Sequence, residues 1–250
     1  MLEIKNISAG YGTHTVLDGA SATFEKGKLT SVVGINGCGK STLLKTMLGI
    51  LPLTCGEITL EGDLLTSMSR GEIAKRISYL TQGRSTPDMT VEQLVLHGRF
   101  PYLSYPRRYT AKDREIARAA MSTVGISELA QMPLYTLSGG MRQNVYIAMA
   151  LAQDTDYILL DEPTTYLDIS HQLELMKTLR SLAEDGKGIV AVMHDLPLAF
   201  NFSDEIVVID GGLAVAQSTP DELCRTDVIS DIFKIKINRL ADNGQFYYTV

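Results

Sequence analysis

The sequence has few cysteines and no long hydrophobic run, and each absence excludes a class of protein. Its three cysteines, Cys38, Cys55 and Cys224, form no CxxC pair. Such a sparse set provides neither a disulfide framework nor a zinc site, and it is typical of a reducing compartment. No stretch approaches the roughly 18 apolar residues that a membrane-spanning helix needs. We therefore expect the chain to reach a membrane only through a partner protein.

The sequence also lacks an excess of positive charge. It has 23 lysines and arginines against 29 aspartates and glutamates, a formal net charge of −6. This balance disfavours a general nucleic-acid coat, so no nucleic-acid partner is expected. The opening residues, MLEIKNISAGYG, lack a basic segment followed by an apolar one, so no export signal is expected. The 250 residues, 45% of them apolar, suit one large domain or two closely packed subdomains.

Two β-hairpins are predicted, one near each end of the chain. Residues 15–25 and 28–33 flank the turn Glu25–Lys28, which favours a hairpin between them. Residues 233–250 contain alternating apolar positions, and Asn243-Gly244 suits a two-residue turn.

A helical block separates two regions of strands. Helical spacing occurs in three successive segments, Thr90–Gly98, Ala111–Val124 and Met141–Gln153. Apolar strands then return at Tyr157–Leu160, Ile189–Met193 and Glu205–Ile209, with a helix predicted over residues 171–184. Alternation of this kind predicts a parallel sheet with helices on both faces.

The strongest motif in the chain is GINGCGKS, which follows the predicted strand Leu29–Val33 and opens a predicted helix over residues 40–48. It matches the phosphate loop of P-loop nucleotide-binding proteins, in which backbone N–H groups surround phosphate oxygens. Lys40 is expected to reach the β- and γ-phosphates, and the Ser41 hydroxyl to bind Mg²⁺. A Gly-rich turn without a ligand is the alternative, which the strand-to-helix context disfavours. The predicted ATP-binding residues of this loop are Gly34, Asn36, Gly37, Cys38, Gly39, Lys40, Ser41 and Thr42.

The apolar strand Tyr157–Leu160 ends in two carboxylates, Asp161 and Glu162. Buried parallel strands place such end residues in the ligand crevice. Asp161 is therefore expected to hold Mg²⁺ through water, and Glu162 to polarise the attacking water as a general base or an orienting group. An ordinary pair of surface charges is the alternative, and the preceding phosphate loop disfavours it.

A second candidate anion site begins at Ser138, in the motif LSGGMRQ. A serine and two glycines at a helix start can bind an anion, or they can simply cap a helix. Together with the phosphate loop and the acidic strand end, this motif resembles the signature of the ATP-binding-cassette (ABC) ATPases. The resemblance covers nearly the whole chain and keeps the order of motifs found in that family.

The resemblance implies a fold and its boundaries. It implies an α/β P-loop NTPase (RecA-like) core with an antiparallel β subdomain and an inserted α-helical subdomain. One ABC ATPase domain is expected over residues 2–238. Its core is expected at about 1–85 and 155–218, and its helical subdomain at about 86–154. Residues 219–250 are expected to form a C-terminal extension.

The resemblance also assigns roles to single residues. Tyr11 takes the place of the aromatic that stacks on adenine, and Gln82 that of the glutamine that touches Mg²⁺. His194 takes the place of the histidine that contacts the γ-phosphate, and Leu167-Asp168 that of the loop linking two active sites. In this family two cassettes pair head to tail, and each ATP lies between one chain's phosphate loop and the other chain's signature. The implied site residues are catalytic Glu162, His194 and Lys40, signature residues Ser138, Gly139 and Gly140, and Mg²⁺ ligands Ser41, Gln82 and Asp161.

Three residues depart from the usual family pattern. Cys38 stands where serine is common, Met141 replaces the usual polar residue of the signature, and Tyr166 is bulkier than the usual residue of the linking loop. If the Cys38 thiol lies beside the phosphates, its alkylation is expected to block ATP binding. Met141 affects the fine contacts of the signature, and Tyr166 the packing of the dimer.

The segment from His97 to Tyr109 interleaves Arg99, Arg107 and Arg108 with aromatic rings. It can be a nucleic-acid-stacking patch, a solvated loop, or part of the helical subdomain. Residues Thr90–Pro101 resemble the cassettes of iron-siderophore, haem and cobalamin importers, and this resemblance favours the third interpretation.

The resemblance therefore implies the ATP-hydrolysing motor of a chelated-metal importer. Its implied partners are integral-membrane permease subunits, a second and identical ATPase chain, and indirectly a substrate-binding protein. Its implied location is the cytoplasmic face of the inner membrane of a prokaryote. The alternatives are a soluble ABC ATPase acting on ribosomes or nucleic acid and a small-molecule P-loop kinase. A single phosphate loop and the full set of motifs disfavour both.

Overall fold

The structure is a computed structural model that describes residues 1–82, 86–240 and 244–249. Its strands divide between two main sheets and a short hairpin. The antiparallel sheet has the order β2-β1-β4-β5, from β1 (Leu2–Tyr11), β2 (His14–Phe24), β4 (Cys55–Leu60) and β5 (Asp63–Leu64). The second sheet has the order β10-β9-β3-β8-β7-β6, from β3 (Leu29–Val33), β6 (Ile77–Leu80), β7 (Tyr157–Asp161), β8 (Gly188–Val192), β9 (Glu205–Asp210) and β10 (Leu213–Ser218).

The helices of the described residues are α1 (Lys40–Met47), α2 (Arg70–Arg76), α3 (Val91–His97), α4 (Ala111–Thr123), α5 (Gly139–Ala152), α6 (Ile169–Glu184), α7 (Leu196–Phe202), α8 (Pro220–Leu223) and α9 (Val228–Phe233). The positions of α1, α3, α4, α5 and α6 agree with the sequence prediction, whereas α2, α7, α8 and α9 were not predicted. Several begin at a side chain that accepts a hydrogen bond from the first turn, as Thr90, Ser138 and Asp168 do. Such caps satisfy backbone N–H groups that have no partner within the helix.

The predicted parallel sheet is confirmed. β9, β3, β8, β7 and β6 run parallel, and β10 pairs antiparallel with β9 at the edge. Every residue of β3, β7 and β8 is buried. Continuous burial is expected where helices or a second sheet cover both faces, and it explains why these strands are uninterrupted apolar runs.

The predicted hairpin between residues 15–25 and 28–33 is wrong. β2 pairs with β1 in the antiparallel sheet, whereas β3 lies between β8 and β9 in the parallel sheet. The turn at Gly27, with φ of 78°, carries the chain from one sheet to the other. The burial patterns agree with this assignment: β2 has exposed and buried positions, whereas β3 is buried at every residue, as expected for a strand inside a parallel sheet that is covered on both faces.

The predicted C-terminal hairpin is confirmed, since β11 (Lys236–Arg239) pairs antiparallel with β12 (Phe246–Thr249). Asn243 of the predicted turn lies outside the described residues. The hairpin packs on α7, where the Asn201 amide donates to the Phe246 carbonyl at 2.9 Å and accepts from the Phe246 N–H at 2.9 Å. The rings of Phe200 and Phe246 lie 5.5 Å apart.

The helices α3, α4 and α5 pack into one block, joined by a buried ion pair. The Arg99 guanidinium donates to the Asp113 carboxylate at 3.1 Å and to the Ala152 carbonyl at 3.0 Å. It also lies 3.9 Å from the centre of the Tyr102 ring. Arg99 is 6% exposed, so it belongs to neither a nucleic-acid-binding patch nor a solvated loop. Of the three arginines in this segment, Arg107 is exposed and stacks over Phe100 at 4.6 Å.

We expect Arg99→Ala to destabilise the chain strongly, because it leaves the Asp113 carboxylate buried without its charged partner. Breaking a buried pair in this way costs about 3–5 kcal/mol of unfolding free energy. Urea unfolding followed by circular dichroism measures the loss. Arg107→Ala is the matched control, with an expected loss of at most about 1 kcal/mol for an exposed cation–π contact. Equal losses in the two variants would contradict the structural role of Arg99.

Candidate functional site

The loop between β3 and α1 forms an open depression of about 400 Å³. Gly37 and Gly39 have φ of 80° and 112°, a region that favours glycine, and they turn the chain into the start of α1. The Lys40 ammonium lies under the loop and donates to the carbonyls of Gly34 at 2.8 Å and Ile35 at 3.0 Å. The depression is lined by Val16, Asn36, Gly37, Gly39, Lys40, Ser41, Thr42, Gln82, Glu162 and His194. A concave site with a cation and backbone N–H groups at a helix start suits a phosphate chain.

Gly34 and Cys38 support the loop from its buried side. A side chain at Gly34 would lie 2.3 Å from the Ile209 carbonyl oxygen and 2.6 Å from the Cys38 sulfur, so only glycine fits there. Cys38 is 6% exposed and packs in the hydrophobic core. Burial raises the pKa of the Cys38 thiol, although the Lys40 ammonium and backbone N–H groups act against this shift. The expectation that this thiol lies beside the phosphates is therefore wrong.

Oxygen ligands meet at the side of the depression. The Ser41 hydroxyl donates to one oxygen of Asp161 at 3.0 Å, and the Tyr79 hydroxyl donates to the other at 3.2 Å. Burial raises the pKa of Asp161, and the hydrogen bonds from Ser41 and Tyr79 act against this shift. A hydroxyl, a carboxylate and the nearby Gln82 amide are the hard oxygen donors that Mg²⁺ prefers, so this donor set fits the metal.

Three side chains converge on the carboxylate of Glu162. His194 Nε2 lies 2.5 Å from Glu162 Oε1. The Gln82 side-chain amide donates a hydrogen bond to Oε2, and the Thr165 hydroxyl donates to the same oxygen at 3.3 Å. Glu162 directly follows β7 and has a φ of 52°, so its backbone leaves the extended conformation of the strand at this residue. The Glu162 side chain is 14% exposed and the His194 side chain 41% exposed, so the carboxylate is the more buried member of the pair. This arrangement can polarise a water molecule beside the phosphate loop.

The signature begins α5 at a different place. The Ser138 hydroxyl accepts a hydrogen bond from the Met141 N–H at 3.3 Å, and Ser138 and Gly139 are exposed. Gly139 lines a second depression of about 270 Å³, which also contains Gln82, Glu162 and Tyr166. Among the described residues, those that line the phosphate-loop depression include neither Ser138 nor the two glycines. The starts of α1 and α5 therefore line different depressions.

The structure leaves Tyr11 at the end of β1, where it is 48% exposed. Its hydroxyl accepts from the Lys45 ammonium at 3.4 Å, and that ammonium lies 5.8 Å from the ring centre. Within the described residues, Tyr11 is not among those that line the depression, whereas Val16 is. An exposed ring at the loop's edge is accessible to a base that extends beyond the phosphates.

Sequence reasoning missed Tyr79 and Thr165. Tyr79 is the third residue of β6, and only the pairing of β6 with β7 brings it beside Asp161. Thr165 lies three residues after Glu162, in the turn where its backbone N–H also bonds the Glu162 carbonyl at 3.3 Å. The phosphate loop's neighbour Val16 comes from the antiparallel sheet and carries no sequence signal.

No helix in the described parts of the chain is long and apolar enough to cross a membrane. The same residues contain no group of three or more histidine, cysteine or acidic side chains that could hold a metal ion.

Comparison with known sequences identifies the class. The profile of the ABC transporter family matches residues 17–165, more than half of the chain. The chain belongs to this family: it binds ATP, and it is an ATPase.

Two relatives match along nearly the full length. The petrobactin import ATP-binding protein FpuD of Bacillus anthracis is 41% identical over 96% of this chain and 89% of its own. The iron(3+)-hydroxamate import ATP-binding protein FhuC of Bacillus subtilis is 40% identical over 96% of this chain and 90% of its own. The dimeric structure of MJ0796, a bacterial ABC transporter cassette, is 27% identical with a TM-score of 0.75 and covers 88% of this chain and 99% of the other.

Burial predicts the order in which the three thiols react. Cys55 is exposed, Cys224 is intermediate and Cys38 is buried, and burial raises the pKa of both Cys224 and Cys38. Since the thiolate is the reactive form, we expect iodoacetamide at neutral pH to label Cys55 first and Cys38 last. Peptide mass spectrometry over a time course, with a urea-unfolded control, measures the rates. Labelling of native Cys38 as fast as Cys55 would contradict its burial.

Proposed function

We propose that this chain is the ATP-hydrolysing motor subunit of an importer for a chelated-metal compound. Support comes from the import ATP-binding proteins for petrobactin and iron(3+)-hydroxamate, which are 41% and 40% identical over 96% of this chain. The class of cargo is thus an iron–siderophore complex, with haem or cobalamin as related chelates. A soluble ABC ATPase acting on ribosomes or nucleic acid is not favoured, because both relatives are import proteins.

The observation that carries the ATP-hydrolysing part of this proposal is the position of the Glu162 carboxylate, which lines the phosphate-loop depression. Lys40 and the backbone N–H groups of the loop bind the phosphates, and Lys40 exchanges its two carbonyl contacts for phosphate oxygens. Glu162 polarises the attacking water, and His194 contacts the γ-phosphate. Tyr11 stacks on the adenine.

A bound Mg²⁺ would be held by Ser41, Asp161 and Gln82. In that position the ion would supply positive charge that stabilises the negative charge of the transferred phosphoryl group. The hydrogen bond from Ser41 to Asp161 keeps the two ligands close before binding. Gln82 also touches Glu162, so this residue connects the metal ligands to the carboxylate that polarises water.

Each ATP is proposed to be shared between two identical chains in a head-to-tail dimer. The signature residues Ser138, Gly139 and Gly140 of one chain complete the site formed by the partner's phosphate loop. Closing of the dimer adds charge-assisted hydrogen bonds to the γ-phosphate, and hydrolysis removes them. The cycle of closing and opening is proposed to move permease subunits in the membrane.

The proposed partners are integral-membrane permease subunits and, through them, a substrate-binding protein. The proposed location is the cytoplasmic face of the inner membrane of a prokaryote. The helical block over residues 86–154 and the C-terminal extension over residues 219–250 remain the proposed divisions of the ATPase domain.

We expect Glu162→Gln to lower ATP turnover by about a hundredfold or more, the contribution of a positioned general base. ATP binding is expected to persist, since the phosphate loop is intact, and the ATP-bound dimer is expected to accumulate. Phosphate release measures turnover, and gel filtration with ATP and with ADP measures association.

Glu128→Gln is the matched control, because Glu128 is exposed and the charge change is the same. Its turnover and association are expected to equal those of the unaltered chain. Normal hydrolysis by Glu162→Gln would remove Glu162 from the proposed role.

A further inference from the structure

A histidine that the proposed mechanism does not use lies between the linking loop and the signature. His171 is in the first turn of α6, and its backbone N–H donates to Asp168 Oδ1 at 3.0 Å. Its ring nitrogen Nδ1 lies 2.8 Å from each oxygen of the same carboxylate. Asp168 therefore fixes both the backbone and the ring of His171.

The Asp168 carboxylate determines which ring nitrogen of His171 carries the proton. The His171 backbone N–H, the Ser170 hydroxyl and the His171 ring hold the pKa of Asp168 well below its usual range. An ionised carboxylate only accepts hydrogen bonds, so Nδ1 carries the proton and donates it to Asp168. The orientation of the ring is thereby set by the linking loop.

The other side of the ring contacts the signature. A side chain at Gly140 would lie 2.3 Å from His171 Cδ2, 2.7 Å from Cγ and 2.8 Å from Nε2. The nearest atom to a side chain at Gly139 would be the Tyr166 carbonyl oxygen, at 3.9 Å. The His171 imidazole therefore occupies the space that a side chain at position 140 would need, so a glycine is required there. Gly139 has no comparable neighbour among the described residues.

We propose that His171 is a positioning residue that fixes the signature helix start relative to the linking loop. Its ring is bonded to Asp168 on one side and packed on Gly140 on the other. It acts on Ser138 and Gly139, which the proposed function presents to the ATP of the partner subunit, so this inference rests on that function. Movement of the linking loop on closing is transmitted through the ring to the signature.

His171→Ala removes the contact without touching the phosphate loop. We expect a fall in ATP turnover of roughly ten- to a hundredfold, the effect of a small misplacement of a group that contacts the transferred phosphoryl. ATP binding to the separate chain, measured with a fluorescent ATP analogue, is expected to stay unchanged, as is the unfolding midpoint. In the Glu162→Gln background, His171→Ala is expected to weaken ATP-driven association.

A second variant tests the contact itself. Gly140→Ala in the unaltered chain forces a methyl group into the ring and is expected to abolish turnover. In the His171→Ala background the same change has space, so its further effect is expected to be small. Non-additivity of this kind marks two residues in direct contact. Lys177→Ala, an exposed change on the same helix, is the control and is expected to leave turnover unchanged.

The outcomes separate this inference from the proposed function. The test is valid if the Lys177→Ala control turns over ATP and associates normally. Three results would then overturn the role of His171: unchanged turnover in His171→Ala, a loss of ATP binding by the separate chain as large as the loss of turnover, or additive effects of His171→Ala and Gly140→Ala. If the Glu162→Gln chain with His171 intact shows no ATP-driven association, the shared site is overturned, and the inference with it.

Discussion

The order of strands in the parallel sheet is the constraint on which the rest of the site depends. β7 lies between β6 and β8, and the carboxyl ends of parallel strands meet at one edge. Gln82 follows β6 and His194 follows β8, so both arrive beside Glu162 at the end of β7. β3 lies next to β8 and delivers the phosphate loop to the same edge. Four separate parts of the sequence therefore reach one depression from the parallel sheet, and Val16 of β2 is a fifth part that lines it.

The signature lies outside that depression. It begins α5, which belongs to the helical block; the block shares one hydrophobic core with the parallel sheet and contains the buried pair of Arg99 and Asp113. The exposed start of α5 places Gly139 at an opening that Glu162 and Gln82 also line. Because the phosphate loop and the signature lie at different openings of one chain, the proposed function completes each phosphate-loop site with the signature of a second copy.

Local sequence signals predicted β3, β7, β8 and β9, the helices α1, α3, α4, α5 and α6, and the phosphate loop, because each depends on residues close together in the chain. The helices α2, α7, α8 and α9 were not predicted. Lys40 and Ser41 follow a buried strand and open a helix, and this context is visible in the sequence. The assignment of β2 and β3 to different sheets was not predictable from the turn at Gly27, since a hairpin and a crossover between sheets have the same local signal. The sheet order decides between them.

Other features that sequence reasoning left open, missed or placed wrongly involve side chains whose environment depends on distant residues. Arg99 has the sequence context of an exposed basic segment, but Asp113 and Ala152 bury it. Cys38 lies within the phosphate loop in sequence, yet its sulfur packs into the core beneath the loop. Tyr79 and His171 carried no motif, and only tertiary packing brings them to Asp161 and Gly140.

A crystal structure of the Glu162→Gln chain with ATP and Mg²⁺ tests the central claim most directly. The account predicts two chains related head to tail, with each ATP between Lys40 of one chain and Ser138 of the partner subunit. ATP contacted by Lys40 and Ser138 of the same chain, or a dimer formed through a surface that leaves the signature exposed, would contradict the shared site.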